Sequence, residues 1–97
     1  MKRPVKFNFA KALRHTRKAR GLTQEDFDGV SSRVHVSRLE RDDKGPTLMK
    51  VNQLANVLEI HPLTLLALSY CDKFTADEVK HLFERIVDEV DSLASAA

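Results

Sequence analysis

A single cysteine, Cys71, among 97 residues excludes an internal disulfide framework and suits a reducing compartment. Only three glycines and three prolines, set against 42% apolar residues, point to a globular and mainly helical chain. No apolar run approaches the roughly 18 residues a membrane span needs. The basic start Met-Lys-Arg-Pro-Val-Lys is not followed by the apolar stretch of a secretory leader. The expectation is a cytoplasmic protein with no membrane association. There is no glycine-rich phosphate loop, and no acid pair stands isolated in an apolar setting. His15, His35, His61 and His81 fall on separate segments, and none lies at ligand spacing from Cys71. Catalytic residues, a metal site and a cofactor are therefore not expected, and the chain does not read as an enzyme. Internal repeats and low-complexity segments are also missing, and the length suits one domain with a modest core.

What the chain does have is an uneven charge distribution. The net charge is only +2, but residues 1–50 carry 13 Lys+Arg against 6 Asp+Glu, a balance of +7. Residues 51–97 carry 3 against 8, a balance of −5. One pole can meet phosphate while the other must do something different.

Six helical segments can be placed. Residues 1–8 read as a basic arm, either a disordered terminus or a phosphate or minor-groove contact made on binding. Asn8 is a candidate N-cap for a helix to about Arg20, with Phe9, Leu13 and Thr16 or Ala12 on its inner stripe. Gly21 closes it as the residue able to enter the left-handed region without steric cost. Thr23 caps a second helix whose first turn is acidic, and Gly29 predicts that this helix is short and turns near Val30. After a loop at Gly45-Pro46, Thr47 caps a helix to about Glu59, with Leu48, Val51, Leu54, Ala55 and Leu58 as its core-facing stripe. Pro62 opens a short, leucine-rich helix to about Tyr70. Thr75 and Glu78 form a capping box for a last helix to about Leu93. There Val79, Phe83, Ile86, Val90 and Leu93 step by 4, 3, 4 and 3, with Leu82 broadening the seam. That acidic helix either folds back over the domain's own core or pairs with a second copy. Pairing is preferred, because a compact five-helix module already precedes it.

The segment Ser31 to Arg41 is the most informative. At about 100° per residue, Arg33, Val34, Ser37, Arg38 and Arg41 fall within roughly 140° of one another. Val36 and Leu39 sit opposite, placed for burial, and Ser31 or Ser32 can cap the start. A short helix with an arginine-rich outer face fits the major groove, where arginine pairs bidentately with guanine O6 and N7. Together with the short acidic-capped helix before it, this is a helix-turn-helix pattern.

The residues Ala12-Leu13-Arg14, Arg17, Arg20-Gly21-Leu22-Thr23-Gln24-Glu25, Val36-Ser37-Arg38-Leu39-Glu40-Arg41 and Pro46-Thr47-Leu48 occur in an order that resembles the Cro/C1-type helix-turn-helix regulators, the xenobiotic-response-element family. The likeness covers roughly Phe9 to Leu68. It implies an all-α, lambda-repressor-like domain of five helices over residues 9–71, followed by a C-terminal amphipathic helix over 74–97. It implies base reading by Arg33, Val34, Ser37 and Arg38, the face obtained from the angles. Phosphate contacts are implied for Gln24, for Thr23 beside it and for Lys44, and Arg41 joins them. Arg17 and Glu40 occupy positions that usually pair as a structural salt bridge. The partners implied are double-stranded DNA, on a roughly palindromic operator, and a second copy of the chain joined through Val79, Leu82, Phe83, Ile86, Val90 and Leu93. Antitoxins and controller proteins share this fold, so a protein partner for the last helix is the alternative. Two departures stand out. From Gln24 to Val36 the chain has about two residues fewer than the usual helix-turn-helix spacing, so the second helix or the turn must be shortened. Asp28 stands near a position commonly filled by alanine.

Overall fold

The computed structural model describes residues 6–41 and 45–96. Lys44 and the first five residues of the basic arm lie outside the described residues. Among those described, every regular element is helical: α1 (Phe9–Ala19), a 310 turn (Gln24–Phe27), α2 (Arg33–Leu39), α3 (Leu48–Leu58), α4 (Pro62–Ser69) and α5 (Ala76–Ala96). The architecture is the all-α, lambda-repressor-like arrangement with one helix appended.

The ends of these helices follow from local chemistry. The Asn8 side chain accepts from the Lys11 N–H at 3.0 Å and caps α1. At the other end Gly21, at φ 70°, lets the Leu22 N–H reach the Arg17 carbonyl and its own N–H reach that of Lys18, both at 3.0 Å. This Schellman arrangement satisfies two carbonyls that helix termination would orphan. Ser32, Thr47 and His61 cap α2, α3 and α4 by accepting from the N–H groups of His35, Lys50 and Leu63. Thr75 accepts from the Glu78 N–H at the start of α5. The end of α3 uses the same backbone device as α1, but the residue at positive φ (57°) is Glu59, not glycine. Arg20 reaches across from α1 and donates its Nε to the Leu58 carbonyl at 2.9 Å, which adds a tertiary cap to that end.

The core forms where one apolar stripe from each of the first five segments converges. Phe9, Leu13, Phe27, Val36, Leu54 and Leu65 are fully or almost fully buried in it. Each such side chain contributes about 1.5–3 kcal/mol through removal from water. α1 packs chiefly on α4, and α2 packs on the 310 turn. The sequence stripe of α3 is buried except at Leu48, which is 73% exposed. Leu48 is the first residue of α3, so it lies beyond the edge of the core although its angular position is near the stripe. Within the expected arm, Phe7 is half-buried with its ring 5.0 Å from Tyr70, and the Asn8 N–H donates to the Ser69 carbonyl at 2.7 Å. These residues are fixed to the domain.

The last helix is different. None of its residues is buried, and its half-buried ones, Glu78, Val79 and Leu82, all lie in its first two turns. At 21 residues it is about 32 Å long, and the molecule measures 46 × 24 × 23 Å. Phe74 anchors its start, with its ring 4.3 Å from His15 and 5.6 Å from the Lys11 ammonium on α1.

Candidate nucleic-acid interface

α2 is held from below by Val36 and Leu39, both buried, and from its end by a charged cluster. Glu40 follows α2 and would place its carboxylate at the negative end of the helix dipole, an unfavourable position by itself. Arg17 of α1 offsets this. Its Nε and Nη2 donate to the two carboxylate oxygens at 2.7 and 3.0 Å, while Nη1 donates to the Leu22 carbonyl at 2.9 Å. The two side chains are only 12% and 4% exposed. The hydrogen bond Arg17 donates to Glu40, opposed by burial and aided by the Glu40 charge, raises the Arg17 pKa above its ordinary value. Gln24 adds a third donor to Glu40 at 3.2 Å. One carboxylate thus ties α1, the 310 turn and α2 together.

The 310 turn explains how the chain accommodates its short spacing. Backbone bonds from Asp26 to Thr23, Asp28 to Glu25 and Val30 to Phe27 run at i to i+3. A 310 helix rises about 2.0 Å per residue, so four residues span about 8 Å where an α-helix would span about 6 Å. The shortening therefore falls on the second helix and not on the turn that follows it. Asp28 ends the 310 turn and is exposed, so its carboxylate meets no packed helix. Asp26 accepts from both the N–H and the hydroxyl of Thr23, at 2.6 and 3.1 Å.

The outward residues of α2 divide around Val34, which is 67% exposed. On one side Gln24, Arg33, Val34, Ser37 and Arg41 line a shallow depression. On the other, His35 and Arg38 line a second one with Pro46, Thr47 and Lys50. Arg33 lies 3.4 Å from Glu25, with both side chains well exposed. A pair so exposed is worth little and is readily exchanged for a stronger anion. The Arg41 Nε donates to the Ser37 carbonyl at 3.2 Å, which leaves its terminal nitrogens outward. Gln24 uses one N–H on Glu40 and keeps the other.

Two positioning residues carried no sequence signal. The Lys50 ammonium donates to the Val30 carbonyl at 2.6 Å and fixes the turn that delivers α2. Arg20, outwardly another helix cation, is committed to the end of α3. Lysine and arginine on a helix normally read as solvated charge, and only the fold reveals a carbonyl within reach.

At the opposite end, the expected pairing residues do not collect into a core. Val79 and Leu82 are half-buried, Phe83 and Ile86 are just exposed, and Val90 and Leu93 are 58% and 71% exposed. No group of three or more His, Cys, Asp or Glu able to hold a metal ion occurs among the described residues. No helix described is long and apolar enough to cross a membrane.

In comparisons with known proteins, a helix-turn-helix family model matches residues 13–65. That span runs from the middle of α1 to the middle of α4 and contains every contact of the Glu40 cluster. No curated protein and no solved structure matches the chain.

Proposed function

The chain belongs to the Cro/C1-type helix-turn-helix family of DNA-binding regulators, and from that premise we propose that it acts as a homodimer on a roughly palindromic operator in double-stranded DNA. α2 is the reading helix. Arg33 and Arg38 address guanine edges, Val34 meets a thymine methyl and Ser37 accepts or donates beside them. Thr23, Gln24, Arg41 and Lys44 hold phosphates, which sets register and supplies most of the affinity. The observation that carries this reading is the division of α2. Val36 and Leu39 are buried, while Arg33, Val34 and Ser37 line the outer side next to Gln24 and the exposed Arg38 stands beside His35 on the other side of Val34. The exposed apolar stripe of α5 supports two copies, and two reading helices then enter successive major grooves about 34–36 Å apart.

Selection of bound sites from a random DNA library tests this. The expected product is an inverted pair of half-sites centred about 10–10.5 bp apart. Recovery of unrelated sequences, or of a single asymmetric half-site, would contradict it. A second reading, an antitoxin or controller-type module, is supported by the same stripe on α5. It predicts a stable complex with a different protein through that helix.

A further inference from the structure

We propose that α4 and α5 together form the surface that binds the second copy, with the two α5 helices antiparallel. The C-terminal half of each then lies along the groove of the other. This rests on the homodimer reading and specifies its geometry.

The surface is continuous. Leu63 and Leu66 of α4, Tyr70 just after it, and Phe83 and Ile86 of α5 line one apolar groove, rimmed by Arg85 and Glu89, which pair at 3.3 Å. The leucine-rich helix and the last helix are therefore one face and not two separate candidates. From that groove the stripe runs on through the exposed Val90 and Leu93, beyond the residues of α5 that line the groove. A groove without an occupant and a stripe without a cover, on the same helix, match each other when a twofold axis crosses α5.

Charge sets the direction. Residues 86–96 contain Asp88, Glu89 and Asp91 and no Lys or Arg, a balance of −3. Residues 76–85 of α5 contain Lys80 and Arg85 against Asp77, Glu78 and Glu84, a balance of −1. A parallel pair places the two −3 segments side by side, whereas the antiparallel pair places each against the less acidic half of the partner's helix, which holds both of the α5 cations. The helix dipoles act in the same sense. Acids near the C-terminus of α5 oppose their own helix dipole, and the positive end of a partner's α5 compensates for that. Like charges across an interface are costly, so orientation is where these residues exert their effect.

Cysteine cross-linking in the full chain tests the arrangement, with Cys71→Ser as background so that each introduced thiol is unique. Chains carrying Val79→Cys and chains carrying Val90→Cys are mixed and oxidised, and Leu93→Cys is oxidised alone. Sedimentation reports the mass in parallel. The expected result is a dimer in which mixed Val79→Cys/Val90→Cys cross-links dominate and Leu93→Cys does not link to itself. Efficient self-linking of Leu93→Cys in a dimer shows a parallel pair and overturns the inference while the homodimer reading stands. A dimer with no cross-link in either experiment places the interface elsewhere, with the same consequence. A monomeric parent chain overturns both.

Discussion

Arg17 and Glu40, 23 residues apart in sequence, form a two-pronged ion pair at 2.7 and 3.0 Å between the first helix and the end of α2. A single carboxylate, also bound by Gln24, sets how α2 is carried on the domain. The pair is nearly shielded from water, so removing one partner leaves the other as an uncompensated charge.

Glu40→Ala is therefore expected to cost about 3–5 kcal/mol, the usual penalty for breaking a buried pair from one side. Arg17→Ala should cost about as much, because it leaves the Glu40 carboxylate, only 4% exposed, with the Gln24 donor alone. In urea unfolding, a double-mutant cycle should give a coupling of about 1–3 kcal/mol. Additive losses would show that the pair is geometrically present and energetically idle. The raised Arg17 pKa places loss of its charge beyond the alkaline end of the working range. Its contribution should stay constant with rising pH.

Glu59→Gly is expected to stabilise the protein. A non-glycine residue in the left-handed region costs on the order of 1 kcal/mol, and the Ile60 N–H bond to the Ala55 carbonyl needs only the backbone. The Arg20 bonds in this region also go to carbonyls, so the substitution leaves them in place. Thermal unfolding should shift upward by about 4–8 °C per kcal/mol gained. A downward shift would show that the Glu59 side chain contributes something the backbone account omits.

The Cys71 thiol should react slowly. Burial first, and the nearby carboxylates of Glu78 and Asp72 next, raise its pKa above the ordinary 9.0. Iodoacetamide should modify it more slowly at pH 8 than it modifies the unfolded chain, since the thiolate is the nucleophile. A folded-state pKa above the unfolded one contributes stability that is fully present below pH 9 and is lost as pH rises through the folded value. Denaturant midpoints taken across pH 8 to 10 should therefore fall only at the alkaline end.

Much of this was legible in the sequence because the relevant signals are local. Asn8, Gly21, Thr47 and Pro62 announced the ends of α1, α3 and α4 through capping chemistry that acts within a few residues. Val36 and Leu39 announced the buried side of α2 by angle alone. The 310 turn was not legible as such, because a Thr cap followed by acidic residues suits either helix type. The left-handed Glu59 was hidden because the expected residue there is glycine or asparagine. Leu48 misled because angular periodicity does not report where the core ends along the helix axis. The anchoring of α5 through Phe74 on His15 joins a loop residue to a helix face almost 60 positions earlier, and no spacing rule reaches that far.

In the proposed function, α2 reads base edges through Arg33 and Arg38. The direct measurement is the affinity of Arg33→Ala and Arg38→Ala for a selected operator and for operators altered at single base pairs, at one fixed salt concentration. Each variant should lose about 1–3 kcal/mol on the intact operator and become indifferent to the base pair its arginine addressed. Unchanged affinity and base preference in both variants would contradict the claim.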